Sequence, residues 1–237
     1  MNETLPSRSG GQVLIDALLL HGVDTVFAVP GESYLDALDA LYGARNRIRL
    51  ITCRQEGGAA FMAEAYGKAT GRLGVCFVTR GPGACNASIG VHAAMQDSTP
   101  MLLLVGQVAR GMLGREAFQE IDFTRMFAPP IAKMAVQIDD PARIPEVMHN
   151  AVRTAMSGRP GPVVVALPED TLTATCTVAD GKPYPALRAH PAAGPTHPPR
   201  ATPAAAAPPP PLLRCPPVAR ASRPRPVPLP CPHARRD

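Results

Sequence analysis

The sequence of 237 residues predicts an α/β protein, with a parallel sheet of about six strands and helices on both faces. Two observations support this fold class. Short aliphatic runs such as GVCFVT and PVVVAL lack polar alternation, which indicates strands buried on both sides. Segments with apolar residues at helical spacing separate these runs, and such alternation is typical of a parallel sheet covered by helices.

The individual elements follow from the same periodicity. Ser9 is placed to cap a first helix, and Gly22 is placed to end it. The stretch 106–139 is less regular, whereas the apolar side chains from Ile144 to Ala155 form a clear helical stripe. In chain order, the other predicted elements are strand 25–29, helix 33–43, strand 48–52, helix 56–70, strand 74–79, helix 84–95, strand 101–105 and strand 162–167.

The C-terminal part of the chain has a different composition. Residues 187–237 contain 16 of the 29 prolines and eight of the 24 lysines and arginines, against one acid. The net charge of +5 therefore comes from this part, which argues against nucleic acid binding by the rest. We expect a domain over 1–185 and a disordered Pro/Ala/Arg-rich tail over 186–237. We favour a shifted reading frame as the origin of the tail over an evolved role as a ligand for aromatic grooves or anionic polymers.

Other classes of protein find no support in the sequence. The six cysteines form no CxxC pair and have no histidine at metal-ligand spacing, so neither a zinc site nor a redox motif is predicted. No apolar run approaches the ~20 residues that span a bilayer, and the N-terminus lacks an apolar signal core. We therefore expect a cytoplasmic protein with no membrane and no nucleic acid partner.

Unusual residues follow four of the predicted strands, at the edge of the sheet where α/β proteins bind ligands. Glu56 could simply complement a helix dipole, which its spacing alone favours, or it could share a proton with a ligand nitrogen. Arg80 and Arg115 border this edge, and each could meet an anionic substrate or form an ordinary ion pair. The four segments are Pro30-Gly31-Glu32, Arg54-Gln55-Glu56, Gly81-Pro82-Gly83 and Gly106-Gln107.

The glycine-rich GPGACN segment is open to three interpretations. It begins like a G-x-G-x-x-G dinucleotide fingerprint and could belong to a Rossmann-type nucleotide site. However, Asn86 occupies the third glycine position, and no acid follows about 20 residues later at a strand end. A plain turn and a tight loop that admits a planar ligand are the other two interpretations.

Five segments form an ordered set: VFAVPGE, RQEGGAA with FMAEAYGKATGR after it, VTRGPGACNA, QDSTPMLLLVGQV and REAFQEID. Together they resemble the N-terminal pyrimidine-binding domain of thiamine diphosphate-dependent enzymes, in the acetolactate synthase-like and benzoylformate decarboxylase-like branch. The resemblance covers about residues 10–185. Many relatives have His at the position of Gln55 and Thr at that of Cys85, and we expect both replacements to be tolerated because the bulk is similar.

The resemblance implies a catalytic role for Glu56. In the family, the acid at this position hydrogen-bonds the aminopyrimidine ring of thiamine diphosphate and so promotes loss of the thiazolium proton. Other matching positions would line the cofactor or the substrate channel. These are Pro30, Gly31, Gly81, Pro82, Gly83 and Asn86 at the cofactor, and Phe118 and Gln119 at the channel.

The resemblance also implies a carboligase or decarboxylase that acts on a 2-oxo acid such as pyruvate. The family's C-terminal domain binds Mg²⁺ and the diphosphate, its middle domain carries most FAD contacts where flavin is present, and the chain matches neither. We therefore expect a truncated chain that is inactive alone. It would form a homo-oligomer or pair with a thiamine-enzyme C-terminal domain. The alternatives are a non-catalytic interaction module that pairs with full-length relatives and a Rossmann-type nucleotide-binding domain.

Overall fold

The structure of the protein is a computed structural model that describes residues 5–184, so the predicted tail lies outside the described residues. Its eight strands are β1 (Ser7–Ser9), β2 (Thr25–Ala28), β3 (Arg49–Thr52), β4 (Gly74–Val78), β5 (Met101–Gln107), β6 (Met134–Gln137), β7 (Pro162–Pro168) and β8 (Thr175–Thr177). Its seven α-helices are α1 (Gly10–Leu20), α2 (Leu35–Gly43), α3 (Glu56–Thr70), α4 (Gly81–Asp97), α5 (Phe123–Met126), α6 (Ile144–Met156) and α7 (Glu169–Thr173).

Six strands form one parallel sheet in the order β3-β2-β4-β5-β7-β6, which confirms the predicted fold class. From β2 the sheet continues to β3 on one side, and from β4 it continues through β5 and β7 to β6 on the other. The strand order therefore reverses between β2 and β4, which makes the crevice at their carboxyl ends the expected ligand position in such a fold. The short strands β1 and β8 pair antiparallel outside this sheet.

The sheet separates two hydrophobic cores. Helices α1, α2 and α6 cover one face, and α3, α4 and α5 cover the other. Strand β5 contributes to both, because Leu102 and Leu104 belong to the first core while Leu103 and Val105 belong to the second. A strand buried on both sides has no polar face, which is why the aliphatic run MLLLV predicted it.

The ends of the helices agree with the sequence in one case and differ in another. Ser9 and Gln12 form a reciprocal capping box at the start of α1, and Gly22 lies beyond its end with φ of +77°. Helix α4 begins at Gly81 rather than near 84, so the GPG segment is its first turn and not a plain turn before it. Pro82 suits this position, because the first turn of a helix leaves its N–H groups unpaired.

Candidate functional site

The loops after β2 and β4 touch at the crevice between these strands. A Cβ atom at Gly31 would lie 2.6 Å from the Thr79 Cβ, so only glycine allows this approach. The hydroxyl groups of Ser33 and Thr79 are 2.9 Å apart and join the two loops. The Tyr34 phenol donates a hydrogen bond to the Val29 carbonyl at 2.5 Å and so holds the first loop from beneath.

Glu56 is the first residue of α3 and its side chain is half-buried. Its Oε2 accepts a hydrogen bond from the Asn86 Nδ2 at 2.9 Å. The N-cap of α3 is made by Gln55, whose Oε1 accepts from the Gly58 N–H at 2.8 Å. The Glu56 carboxylate is therefore not needed as a cap, although the positive end of the helix dipole still favours its charge.

The first turn of α4 lies directly beside this carboxylate. A Cβ atom at Gly83 would be 3.8 Å from the Glu56 Cγ and 3.1 Å from the Thr79 Cγ2. Thr79 thus connects Gly31 on one side with Gly83 on the other. Burial, with smaller contributions from the nearby Cys76 and Glu56 charges, raises the pKa of the Tyr34 phenol well above its usual value. Tyr34 therefore stays neutral beneath the site.

A long loop after β5 closes another side of the site. The Gly81 N–H donates to the Gln119 carbonyl at 3.0 Å, so this loop packs on the GPG turn. Gln107 is buried and anchors the loop, because its Nε2 donates to the Ile121 carbonyl at 2.8 Å. Gln119 is half-buried with φ of +63°, whereas the Phe118 side chain is 72% exposed. Of the two predicted channel residues, Gln119 thus packs on the first turn of α4 through its carbonyl, and Phe118 precedes it in the chain with an exposed side chain.

Arg80 is buried at the same edge and forms ion pairs. Its Nη1 lies 3.4 Å from the Glu32 Oε1, and its Nη2 donates to the Glu169 Oε2 at 3.1 Å. Of the two sequence interpretations of Arg80, an ordinary ion pair or a contact with an anionic substrate, the structure shows the ion pair. The pairs connect the loops after β2, β4 and β7.

The structure thus brings six of the predicted residues into one region: Gly31, Glu56, Gly81, Gly83, Asn86 and Gln119. Pro30 and Pro82 adjoin Gly31 and Gly81 in sequence, and both are exposed. Ser33, Thr79, Tyr34 and Glu169 were not singled out from the sequence, although each supports a loop of the site. No local pattern marks these residues, because each of their contacts except that of Tyr34 joins segments far apart in the chain.

Other features of the described residues lie outside this region. No group of three or more His, Cys, Asp or Glu within 5–184 could hold a metal ion. No helix in the same range is long and apolar enough to cross a membrane. A cavity of about 420 Å³ lies at the opposite end of the sheet, lined by His21, Tyr66, Arg72 and Tyr184 among others.

The sequence of this chain is similar to the sequences of known proteins. Residues 8–126 match the family described as thiamine pyrophosphate enzyme, N-terminal TPP binding domain. The acetolactate synthase large subunit of Parasynechococcus marenigrum is 43% identical over 164 residues, which are 68% of this chain and 26% of that protein. The acetolactate synthase isozyme 3 large subunit of Escherichia coli is 42% identical over 164 residues, 69% of this chain and 28% of that protein.

A third relative is the acetolactate synthase large subunit IlvB1 of Mycobacterium tuberculosis, 39% identical over 173 residues, 73% of this chain and 28% of that protein. The chain spans about a quarter of the length of these curated relatives. These matches confirm the resemblance inferred from the five sequence segments. The chain therefore belongs to the thiamine pyrophosphate enzyme family, and residues 8–126 are an N-terminal TPP-binding domain of the acetolactate synthase type.

Proposed function

We propose that this chain binds the aminopyrimidine end of thiamine diphosphate between the loops after β2 and β4, with Glu56 as the acid that hydrogen-bonds the ring. The supporting observation is the state of the carboxylate. Oε2 is held by Asn86, whereas Oε1 accepts no hydrogen bond from the described residues. A half-buried carboxylate with one oxygen available fits a ring nitrogen that carries a proton.

We expect the flat ring to lie beside Glu56, where the loops after β2 and β4 meet. Gly31, Gly81 and Gly83 let these loops pack closely on Thr79 and on the Gln119 carbonyl, and the exposed Pro30 and Pro82 beside them would border the ring. Thiamine diphosphate supplies, when bound, a thiazolium ring that accepts electrons from the 2-oxo acid. Glu56 would hold or release a proton at Oε1, and the loop with Phe118 and Gln119 would border the substrate.

The proposed reaction of the whole enzyme is a carboligation or decarboxylation of a 2-oxo acid such as pyruvate, because the relatives are named acetolactate synthases. Mg²⁺, the diphosphate and, where present, FAD would be held by domains that correspond to the rest of those relatives. We expect residues 5–184 to be inactive without those domains. The exposure of Pro30, Pro82, Asn86 and Phe118 supports completion of the site by a second chain or a C-terminal domain.

Ligand-observed NMR with thiamine as the probe tests this proposal on the full chain. We expect saturation transfer to the pyrimidine protons of thiamine, and at least a threefold smaller effect in Glu56→Gln, because the neutral amide cannot share the proton. Glu146→Gln, which changes an exposed acid on α6, is the matched control and should behave like the wild type. Equal transfer in the wild type and Glu56→Gln, or none in the wild type, would overturn the proposal.

A second candidate function is that of a non-catalytic interaction module. The observation that favours it is a set of exposed apolar side chains on α3 and α4, namely Phe61, Met62 and Ile89. Size-exclusion chromatography of the chain together with a full-length relative tests whether the chain interacts with another polypeptide or has no function. A discrete mixed oligomer supports an interaction, whereas aggregation of the chain contradicts it.

A further inference from the structure

One side-chain contact between α3 and α4 is not explained by the packing of these helices. Asn86 on α4 donates to Glu56 on α3 at 2.9 Å, although the residues are 30 positions apart. The helices already pack through small residues, since a Cβ atom at Gly90 would lie 2.5 Å from the Ala60 Cβ. Both side chains of the polar pair are at least partly accessible, so the bond contributes little to the core.

The backbone on both sides of this contact is fixed. A Cβ atom at Gly57 would lie 3.2 Å from the Asn86 carbonyl oxygen, so α4 passes directly against the first turn of α3. The Gln55 side chain caps that turn through the Gly58 N–H. Asn86 therefore reaches Glu56 from a rigid position. A glutamate side chain has three rotatable bonds, and a hydrogen bond to one of its oxygens restricts the whole carboxylate.

The chemistry of the donor also matters. An amide donates a hydrogen bond without bringing a charge, whereas Arg or Lys at this position would form a charge-assisted pair. A cation so close would strongly favour the ionised carboxylate and oppose the sharing of a proton with a ligand. Asparagine restricts Glu56 and leaves it free to accept or share a proton at the other oxygen.

We propose that Asn86 is a positioning residue, which holds Glu56 Oε2 so that Oε1 is the oxygen presented to the ligand ring. This inference rests on the proposed function. The family resemblance had placed Asn86 at the cofactor itself. The inference instead gives Asn86 the role of holding the acid. The residue acts through Glu56 and needs no contact of its own with the cofactor.

The contact itself can be tested in the full chain without any ligand. The NMR signals of the two side-chain amide protons of Asn86 should be displaced from the positions of a free asparagine, and Glu56→Ala should bring them toward those positions. The same spectra of His92→Ala, which changes an exposed residue farther along α4, should leave the Asn86 signals in place. Free-asparagine shifts in the wild type would overturn the inference.

The effect on binding is tested with thiamine by the same saturation-transfer method, with circular dichroism as a check of folding. We expect Asn86→Ala to weaken thiamine binding at least threefold at all pH values, and Asn86→Gln to restore part of the loss. Asn86→Asp places a second carboxylate beside Glu56, and like charges at this distance cannot both be ionised easily. Its binding should therefore be weakest at neutral pH and recover as the pH is lowered and one of the two carboxyl groups takes up a proton.

The outcomes separate the two proposals. Thiamine binding in the wild type that is unchanged in Asn86→Ala overturns the positioning role and leaves the proposed function intact. A loss of thiamine binding in Asn86→Asp that does not recover at lower pH also contradicts the positioning role. Such a loss would indicate a purely structural defect, which protonation of a carboxyl group does not relieve. No transfer to thiamine in the wild type overturns the proposed function, and the positioning role with it.

Discussion

At the scale of single residues, the site depends on close approaches that only small side chains permit. A Cβ atom at Gly106, near the end of β5, would lie 1.9 Å from the Ser33 Oγ, which is nearer than atoms can come without rearrangement. Ser33 also pairs with Thr79 across the crevice. Gly106 therefore determines where the loop after β2 sits, and with it the side of the crevice that carries Gly31.

Replacement of Gly106 tests this dependence. We expect Gly106→Ala to lower the free energy of unfolding by about 1–3 kcal/mol, the usual cost of an added methyl group in a tightly packed position. Urea denaturation measures the change. Gly111→Ala is the control, because a Cβ atom there meets no atom within 4 Å among the described residues. Equal stability of the two variants would show that Ser33 moves aside freely.

These residue contacts mark the limit of what the sequence predicts about the site. The position of Glu56 at a helix start after a strand was predictable, because the strand, the glycines and the small residues of α3 are local signals. The bond from Asn86, the pairing of Ser33 with Thr79 and the anchoring role of Gln107 join segments that are distant in the chain. No periodicity or motif encodes such distances, which become fixed only once the sheet order is known.

At the scale of elements, the C-terminal end of the described chain is tied to two helices by histidines. His21 follows α1, and its Nδ1 accepts a hydrogen bond from the Tyr184 N–H at 3.1 Å. The His149 ring on α6 is 5.7 Å from the His21 ring, and its Nδ1 lies 3.2 Å from the Lys182 carbonyl. Because a protonated His21 has no acceptor at Nδ1, this arrangement requires the neutral form.

This requirement predicts a dependence of stability on pH. Burial, with the charge of His149 as a smaller cause, lowers the pKa of His21 below its usual value of 6.5. Its stabilising contribution is then complete above pH 6.5, where the unfolded chain is also neutral, and is lost as the pH falls toward the lowered folded value. We expect the urea midpoint of the wild type to fall more steeply below pH 6.5 than that of His21→Gln. His92→Gln should keep the wild-type slope, and a His21→Gln slope equal to it would contradict this reading.

Elements also differ in how well the sequence predicted them. The buried strands and α6 were predictable, because uniform burial and an apolar stripe leave clear patterns. Strand β6 was missed, since its four residues MAVQ are all half-buried at the sheet edge and form neither an alternating nor a continuous apolar run. Pairing with β7 defines it as a strand, and this pairing depends on tertiary structure.

At the scale of the whole molecule, the described part presents apolar side chains that a single chain does not cover. Phe61 and Met62 are each 42% exposed, and Ile89 on the neighbouring helix is 57% exposed. The helices that carry them also carry Glu56 and Asn86, so a chain packed on this surface would come close to the proposed site. Apolar residues clustered in this way are typical of surfaces that bind another polypeptide.

We therefore expect the chain to associate in solution through this surface, and Ile89→Glu to weaken the association, because a charge would be buried against apolar side chains. Sedimentation velocity over a range of concentrations should give a species larger than a monomer for the wild type and a monomer for Ile89→Glu. Leu35→Glu is the matched control, since Leu35 is 60% exposed but lies on α2, which covers the other face of the sheet. If both substitutions weaken the association equally, the association is unspecific. If Ile89→Glu alone gives monomers and leaves thiamine binding unchanged, the surface of α3 and α4 contacts a partner chain but does not itself form the pyrimidine site.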